Sequence, residues 1–186
     1  MYKEPDIPSP YKKNNLGKSL YEVVMDLKPK KIVEFGVLYG YSTISMAEAL
    51  KDLNQGKIFA YDLWDDFSGE HTTIDVAQKN INDYQVAELV TLGKKDLADW
   101  LLEPEPFDLV HIDVLNTGDT IVAAYKGLEE MLKKGSAILF EGGTLERDLV
   151  DWMIKGHKTP MNIVKDDIGY EVIDVRFPGL SIIRAS

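Results

Sequence analysis

The strongest indication of the fold comes from residues 31–42, which read Lys-Ile-Val-Glu-Phe-Gly-Val-Leu-Tyr-Gly-Tyr-Ser. The apolar run at the start predicts a buried strand, and Gly36 and Gly40 predict a tight turn that opens a helix. In such a turn a ligand can lie against bare backbone at the helix N-terminus, which is typical of nucleotide-type sites. Glu34, Gly36, Gly40 and Ser42 are therefore the first candidate ligand contacts.

The spacing of the glycines distinguishes between ligand classes. A dinucleotide fingerprint, G-x-G-x-x-G, holds a pyrophosphate at the helix N-terminus, but here Leu38 replaces the middle glycine. Glu34 also stands two residues before Gly36, where a carboxylate would repel a phosphate. A carboxylate suits a ligand with positive charge, such as the ammonium and sulfonium groups of S-adenosylmethionine. The alternative is a glycine turn that serves packing alone.

Strand-like and helix-like segments alternate along the rest of the chain. Short apolar segments predict strands at residues 31–35, 57–62, 87–92, 107–113 and 136–141. Helical spacing of apolar residues predicts helices at residues 15–27, 72–85, 119–133 and 144–154. In the last helix, the buried stripe is expected to be Leu145, Leu149 and Trp152. Residues 170–177 and 180–184 predict a final hairpin.

This alternation predicts an α/β fold with a Rossmann-like, doubly wound sheet of seven strands, mostly parallel and closed by a C-terminal antiparallel hairpin. Three prolines in residues 1–14 predict an irregular N-terminal arm, and residues 15–186 are expected to form a single domain. In such a sheet, ligands bind at the carboxyl ends of the strands.

Composition narrows the classes of partner. The net charge is -10, from 21 Lys and Arg against 31 Asp and Glu, which argues against nucleic acid and anionic membrane surfaces. The chain has no cysteine, and no apolar run approaches the roughly 18 residues of a membrane helix. These features favour a cytoplasmic protein whose partner is a small molecule.

Further acids follow the later strands. Asp62 ends the second strand and can accept hydrogen bonds from both hydroxyls of a ribose. Leu63 or Trp64, which follow it, either lies against an adenine or packs under the loop. Asp96, followed by Leu97, comes after the third strand and could accept from the adenine amino group. Asp113 ends the fourth strand, where a reacting group would lie. The alternative for Asp62 is an ordinary acid at the start of a surface loop.

This ordered set resembles the class I S-adenosylmethionine-dependent methyltransferases over nearly the whole chain. Glu34, Gly36 and Gly40 match the family's first motif, Asp62 its ribose-binding acid and Asp96 its adenine-side position. The fourth strand, Phe-Asp-Leu-Val-His-Ile-Asp at residues 107–113, is similar to that of the small-molecule O-methyltransferases related to the catechol and macrolide-sugar enzymes. The resemblance implies an S-adenosylmethionine cofactor and methylation of a small-molecule acceptor, on oxygen rather than nitrogen.

The sequence departs from the metal-dependent members of that family. They carry an acid at the position of Asp113 and an Asp-Asn or similar pair after the fifth strand, which here ends Glu141-Gly-Gly. A divalent metal is therefore not expected, because only Asp113 and Glu141 could supply side-chain oxygens. The catechol-type enzymes also have a lysine, which is their base, where this chain has Asn116. The lysine-base mechanism of those enzymes therefore does not apply to this chain.

Asp113, helped by Glu141, is instead the candidate general base for a hydroxyl acceptor. Asn116 either contacts the acceptor or caps the following helix. His111 precedes Asp113 by two residues and is expected to be a buried, hydrogen-bonded core histidine. Two other functions stay open: a non-catalytic binding protein with the methyltransferase fold, and a nicotinamide-dependent oxidoreductase, which Leu38 and Glu34 disfavour.

Overall fold

The structure, a computed structural model, describes residues 2–66 and 72–185. The strands are β1 Lys31–Phe35, β2 Lys57–Asp62, β3 Val90–Lys94, β4 Leu109–Ile112, β5 Ala137–Glu141, β6 Glu171–Asp174 and β7 Leu180–Arg184. The helices are α1 Leu16–Leu27, α2 Tyr41–Leu53, α3 Ile74–Asp83, α4 Leu97–Leu102, α5 Gly118–Leu128, α6 Leu145–Asp148, α7 Asp151–Lys155 and α8 Lys165–Ile168. Within the described residues, no helix is long and apolar enough to cross a membrane.

The described strands form one sheet of seven, in the order β3-β2-β1-β4-β5-β7-β6. The pairs β2–β3, β1–β2, β1–β4 and β4–β5 are parallel, whereas β7 runs antiparallel to both β5 and β6. The predicted doubly wound sheet with a C-terminal antiparallel hairpin is thus confirmed. The strand order reverses direction at β1 and β4, and a ligand crevice opens at such a switch point.

Helices cover both faces of the sheet. On one face, Ile32 and Leu109 pack in a buried cluster with residues of α1 and α2, such as Leu20 and Ile44. On the other face, Val33 of β1 and Val110 of β4 pack in a second buried cluster with Trp100 of α4 and with residues of α5. Because adjacent residues of a strand point to opposite faces, both must be apolar. This is why the strands are readable as continuous apolar runs.

The N-terminal arm has no regular structure among its described residues apart from a 3-10 turn at Lys12–Asn14. It nevertheless packs against the domain, since Ile7 and Tyr11 are only 3% and 1% exposed. The Tyr41 hydroxyl of α2 donates to the Glu4 carboxylate at 2.8 Å, and the Asn14 amide donates to the Phe177 carbonyl at 2.5 Å.

Residues 144–154 do not form the single helix predicted, and the predicted buried stripe is wrong. The structure has two short helices, α6 and α7, separated by an extended residue at Val150. Leu145 and Leu149 are 66% and 59% exposed, whereas Arg147 and Asp148 are buried. Buried partners elsewhere in the chain determine this orientation, because the Asp148 carboxylate accepts from the backbone N–H groups of Met161 and Asn162.

Candidate active site

The close approach of β4 restricts the glycine turn that follows β1. Gly36 has a φ of +89°, and a Cβ there would lie 1.8 Å from the Asp113 carbonyl oxygen. Only glycine lets the ends of β1 and β4 approach this closely. Gly40, also with a φ of +89°, is the N-cap of α2, and a Cβ there would meet no atom closer than 3.8 Å. The turn therefore brings bare backbone to the N-terminus of α2, the arrangement that the sequence predicted.

Glu34 lies beneath this turn and is fully buried. Its carboxylate accepts hydrogen bonds from the hydroxyls of Ser42, at 2.6 Å, and Thr43. His111 Nδ1 lies 3.1 Å from the same carboxylate, so the prediction of a buried, hydrogen-bonded core histidine is confirmed. Glu34 thus joins β1, β4 and the first turn of α2, and the predicted contacts of Glu34 and Ser42 with a cofactor stay predictions.

Asp62, at the end of β2, holds the glycine turn from the other side. Its Oδ2 accepts from the backbone N–H groups of Val37 at 2.7 Å and Leu38 at 2.9 Å. Its Oδ1 accepts from the N–H of Trp64 at 3.1 Å. The carboxylate is half-buried and keeps capacity for further hydrogen bonds, because an ionised carboxylate offers about four lone-pair directions. The predicted ribose contact remains open to test.

The predicted adenine side lies at the ends of β2 and β3. Asp96 is the N-cap of α4 and accepts from the Ala98 N–H at 2.7 Å, while Leu97 is buried and Leu63 half-buried. The Trp64 indole is buried and donates to the Gly93 carbonyl at 3.0 Å. Asp96 therefore has a structural role as the N-cap of α4. The cofactor contacts predicted for Leu63, Asp96 and Leu97 stay predictions.

Polar side chains converge at the carboxyl ends of β4 and β5. Glu141 is 5% exposed and accepts from Nε and, at 3.1 Å, from Nη2 of Arg147. The guanidinium of Arg147 also lies 4.8 Å from the centre of the Trp152 ring. Asn116 is fully buried, and its amide donates to the carbonyls of Ile112 at 2.9 Å and Glu141 at 3.0 Å. The helix cap is its neighbour Thr117, whose side chain accepts from the Thr120 N–H.

The two candidate catalytic acids have unusual pKa values. Loss of solvent around the carboxyl groups raises the pKa of Asp113 to about 6 and that of Glu141 to about 7. The negative charge of Asp113 raises the pKa of Glu141 further, while Arg147 opposes both shifts. Near neutral pH each of these carboxyl groups can therefore gain or lose a proton, as general-base catalysis requires.

Four buried polar atoms at this edge have no hydrogen-bond partner among the described residues. They are the Tyr11 hydroxyl, His111 Nε2, Asn116 Oδ1 and Arg147 Nη1. Buried polar atoms nearly always have partners, so such a concentration is typical of a site that receives a polar ligand. Within residues 2–66 and 72–185, no group of three or more His, Cys, Asp or Glu side chains could hold a metal ion.

Sequence reasoning missed three contributors to this site. Thr43 follows directly after the candidate Ser42, but its bond to Glu34 depends on how α2 is turned. Arg147 lies in residues 144–154, where the apolar spacing predicted one amphipathic helix and did not indicate that this side chain is buried. Tyr11 belongs to the irregular arm, where no periodic pattern signals burial.

Comparisons with known proteins place this geometry in a family. A family described as "Methyltransferase domain" matches residues 33–141, which run from β1 to the end of β5. No curated protein matches the sequence significantly. The chain is similar to solved structures that cover most of its length.

One is the O-methyltransferase TomG from Streptomyces achromogenes, involved in tomaymycin synthesis and solved in complex with SAM, with a TM-score of 0.68, 19% identity, and coverage of 92% of this chain and 80% of that chain. Another is the SAH-bound Podospora anserina methyltransferase PaMTH1, with a TM-score of 0.69, 20% identity, and coverage of 91% and 77%. A third is the O-methyltransferase from Bacillus cereus in complex with SAH, with a TM-score of 0.64, 18% identity, and coverage of 98% and 84%. At these identities the likeness shows a shared fold. Since the matched family covers more than half of its length, the chain belongs to the methyltransferase-domain family.

Proposed function

We propose that this protein is an S-adenosylmethionine-dependent methyltransferase that methylates an oxygen atom of a small-molecule acceptor. The observation that carries the proposal is the joint presence, at one sheet edge, of a glycine turn braced by Glu34 and Asp62 and a proton-accepting pair, Asp113 and Glu141. Membership of the methyltransferase-domain family supports it. So do O-methyltransferases of the same fold that are solved with SAM or SAH.

The cofactor, when bound, supplies a methyl group made electrophilic by a sulfonium. Bare backbone at Gly36 and Gly40 lets a ligand approach the N-terminus of α2, and Asp62 fixes the shape of that turn. In this proposal the Asp62 carboxylate, which keeps lone-pair capacity beyond its backbone contacts, accepts further hydrogen bonds from the hydroxyls of a sugar, and Leu63, Asp96 and Leu97 line the base. The net negative charge of the surrounding acids favours a cation.

Asp113 would take up the proton of the acceptor hydroxyl as the new carbon–oxygen bond forms and the bond between the methyl carbon and the sulfonium sulfur breaks, which leaves S-adenosylhomocysteine. Its pKa of about 6 leaves it mostly ionised at pH 7 yet basic enough to accept a proton. In this proposal Glu141, held by Arg147, supports Asp113, and the Asn116 Oδ1, which has no hydrogen-bond partner among the described residues, accepts from another donor group of the acceptor. No metal is required in this scheme. Most of the acceleration comes from holding the hydroxyl and methyl group in line.

Titration calorimetry tests cofactor binding. We expect S-adenosylmethionine and S-adenosylhomocysteine to bind the wild-type protein at one site, and Asp62→Ala to weaken both by about 10-fold or more, because a charge-assisted hydrogen bond is lost. Asp26→Ala is the matched control, since Asp26 is an exposed acid on α1 that lies 3.7 Å from Arg184. Failure of the wild-type protein to bind either compound at millimolar concentration would overturn the proposal.

Methyl transfer is tested separately with a panel of small hydroxyl and amine compounds, by mass spectrometry of the products. Oxygen-methylated products are expected, and nitrogen methylation would correct the acceptor class. If S-adenosylmethionine binds but no acceptor, including a small-molecule extract of cells, is methylated, the non-catalytic binding protein becomes the better account. A small-molecule acceptor and a cytoplasmic location are part of the proposal, on the net charge of -10 and the absence of cysteine.

A further inference from the structure

Arg147 has hydrogen-bonding capacity beyond its ion pair with Glu141. Nε and Nη2 of the planar guanidinium donate to the two carboxylate oxygens of Glu141, so one edge of the group is engaged. Nη1 lies outside that edge, and it is buried without an acceptor among residues 2–66 and 72–185. The whole residue is only 6% exposed, so bulk solvent does not supply the acceptor. A buried donor without a partner is costly, which favours a ligand atom that would complete it.

Asn116 has the opposite capacity at the same strand ends. Its amide nitrogen donates to the carbonyls of Ile112 at 2.9 Å and Glu141 at 3.0 Å, and so ties the end of β4 to the end of β5. Its Oδ1 is buried and has no donor in the described part of the chain. Arg147 bonds the side chain of Glu141, and Asn116 bonds its backbone. An unpartnered donor and an unpartnered acceptor therefore belong to residues that bond the same acid, next to the strand that leads into Asp113.

The surroundings of Arg147 restrain its guanidinium. The central carbon lies 4.8 Å from the centre of the Trp152 ring, so this ring covers one face of the group. A Cβ at Gly142 would lie 3.3 Å from Arg147 Cγ, which shows how closely the stem packs against the backbone after β5. A lysine could pair with Glu141 through its ammonium alone. The guanidinium offers in addition the edge formed by Nη1 and the outer N–H of Nη2.

Exposed apolar side chains flank these two polar residues in the chain. Leu145 stands two residues before Arg147 and is 66% exposed, and Leu115 directly precedes Asn116 and is 58% exposed. The Trp152 ring is also partly exposed. A small number of polar groups among apolar side chains is typical of small-molecule sites. This combination suits an acceptor with an apolar body and an oxygen that accepts hydrogen bonds.

We propose that Arg147 is a specificity-determining residue, whose Nη1 donates to a carbonyl-type oxygen that the acceptor carries in addition to the hydroxyl to be methylated. A carboxylate and a ketone both offer such an oxygen. The inference rests on the proposed function and narrows its substrate class, because a simple alcohol or phenol would leave Nη1 without a partner. A site with a buried donor rejects the analogue that lacks the matching acceptor.

The contact is tested first in a protein with an unchanged Arg147 and without an assay of activity. The arginines of the chain are Arg147, Arg176 and Arg184, so in 15N-arginine-labelled protein the Arg147 side-chain signals are those that remain in the Arg176→Lys, Arg184→Lys double variant. The probes are the hydroxybenzoates, the hydroxyacetophenones and the isopropylphenols, each as ortho, meta and para isomers.

With S-adenosylhomocysteine present, we expect the Arg147 Nη signals of the wild-type protein to shift with the hydroxybenzoates, the hydroxyacetophenones or both, and not with the isopropylphenols, which have no carbonyl. Shifts with both carbonyl series indicate the neutral oxygen, and shifts with the hydroxybenzoates alone indicate a carboxylate. Arg176 is the internal control, because it forms the same kind of two-point pair with Asp174 on a side chain that is 47% exposed. Its signals should not move.

A variant then tests the effect on substrate choice. Arg147→Lys keeps a positive charge for Glu141 and removes Nη1. For the best carbonyl-bearing phenol relative to its isopropyl counterpart, the ratio of kcat/KM values should fall by about 10-fold or more, because one charge-assisted hydrogen bond is lost. KM for S-adenosylmethionine should change less than twofold. Arg176→Lys is the matched control and should leave the ratio unchanged.

The outcomes separate this inference from the proposed function. Arg147 signals that stay unchanged with every probe, or that shift equally with the isopropylphenols, overturn the contact. A kcat/KM ratio that is the same in wild type and Arg147→Lys overturns the specificity role, and binding of S-adenosylmethionine with transfer to other hydroxyls leaves the methyltransferase proposal standing. If the wild-type protein binds no S-adenosylmethionine, the proposed function fails, and the same titration without S-adenosylhomocysteine still decides whether Arg147 binds a carbonyl oxygen.

Discussion

At the scale of single residues, this site is built from acids whose surroundings differ. Glu34 has no exposed surface and is bonded to two hydroxyls, so its role is to join the strand ends and the start of α2. Asp62 accepts three backbone N–H bonds and fixes the glycine turn. Asp113 and Glu141 have raised pKa values, so these two acids can gain or lose a proton near neutral pH.

The raised pKa of Asp113 makes stability depend on pH. An acid whose pKa is higher in the folded than in the unfolded chain holds its proton more tightly when folded, so stability falls as pH rises through about 6. Asp113→Asn removes this effect. We expect the variant to gain stability relative to wild type between pH 4 and pH 7, as measured by urea unfolding at each pH. A difference that stays constant over this range would contradict the raised pKa of Asp113.

Replacement of Arg147 by alanine should lower the free energy of unfolding far more than replacement of an exposed lysine. Arg147→Ala leaves the buried Glu141 without its partner, which we expect to lower the free energy of unfolding by about 3 kcal/mol. The loss should be larger at pH 8 than at pH 5, where Glu141 can take up a proton because its pKa is about 7. Lys155→Ala, which breaks an exposed pair with Asp151, is the control and should have little effect. Equal losses in both variants would show that Glu141 does not need Arg147.

At the scale of elements, the turn between β1 and α2 connects packing to function. The same glycine that allows β4 to approach β1 also exposes backbone at the helix N-terminus. The turn is then held between two acids, Glu34 on one side and Asp62 on the other. Side chains of the neighbouring strands therefore contribute to the shape of the turn.

Gly36→Ala should disrupt this turn more than its backbone angle alone explains. Gly36 and Gly135 have φ values of +89° and +91°, but a Cβ at Gly36 would collide with the Asp113 carbonyl while one at Gly135 would meet nothing within 4 Å. Gly135→Ala therefore measures the conformational cost, about 1–2 kcal/mol. We expect Gly36→Ala to lose several kcal/mol more or to fail to fold, by urea unfolding. Similar losses in the two variants would mean that the strands can separate easily.

The sequence predicted elements well where their signal is local. β1 and β2 have the predicted bounds, because strands covered on both faces are continuous apolar runs. The third strand begins later than predicted, at Val90, since Ala87–Leu89 form a 3-10 turn. The helix predicted at residues 144–154 was wrong, because Arg147 and Asp148 find buried partners on distant elements, which no local pattern records.

The same reasoning applies to the site. The glycine turn and the acids at the carboxyl ends of the strands were predictable, because parallel strands bring their ends to one edge. The burial of Tyr11 was not, since it depends on the path of an irregular arm. The pairing of Glu141 with Arg147 likewise depends on how α6 turns after β5.

At the scale of the whole molecule, arm and sheet form one packed structure. Ile7 of the arm belongs to the same buried cluster as Leu20 of α1 and Ile44 of α2. The two apolar clusters lie on opposite faces of the sheet, and the polar site occupies the edge where the parallel strands end. A ligand at this edge would touch several elements at once and should stabilise the whole fold.

Thermal unfolding tests this expectation and separates two cofactor classes. S-adenosylmethionine at about 100 times its dissociation constant should add about 2.7 kcal/mol of stability and raise the midpoint by about 5–10 °C. NAD and NADH at the same concentration should leave the midpoint unchanged, because the turn lacks the middle glycine of the dinucleotide pattern. A shift with the nicotinamide compounds alone would favour the oxidoreductase instead.

A crystal structure of the protein grown with S-adenosylhomocysteine is the most direct measurement of all. It should show the ligand along the turn from Gly36 to Gly40, with its sugar hydroxyls on Asp62 and its sulfur pointing towards Asp113. Density for the ligand anywhere else, or none at saturating concentration, would contradict the cofactor site and the methyl transfer built on it.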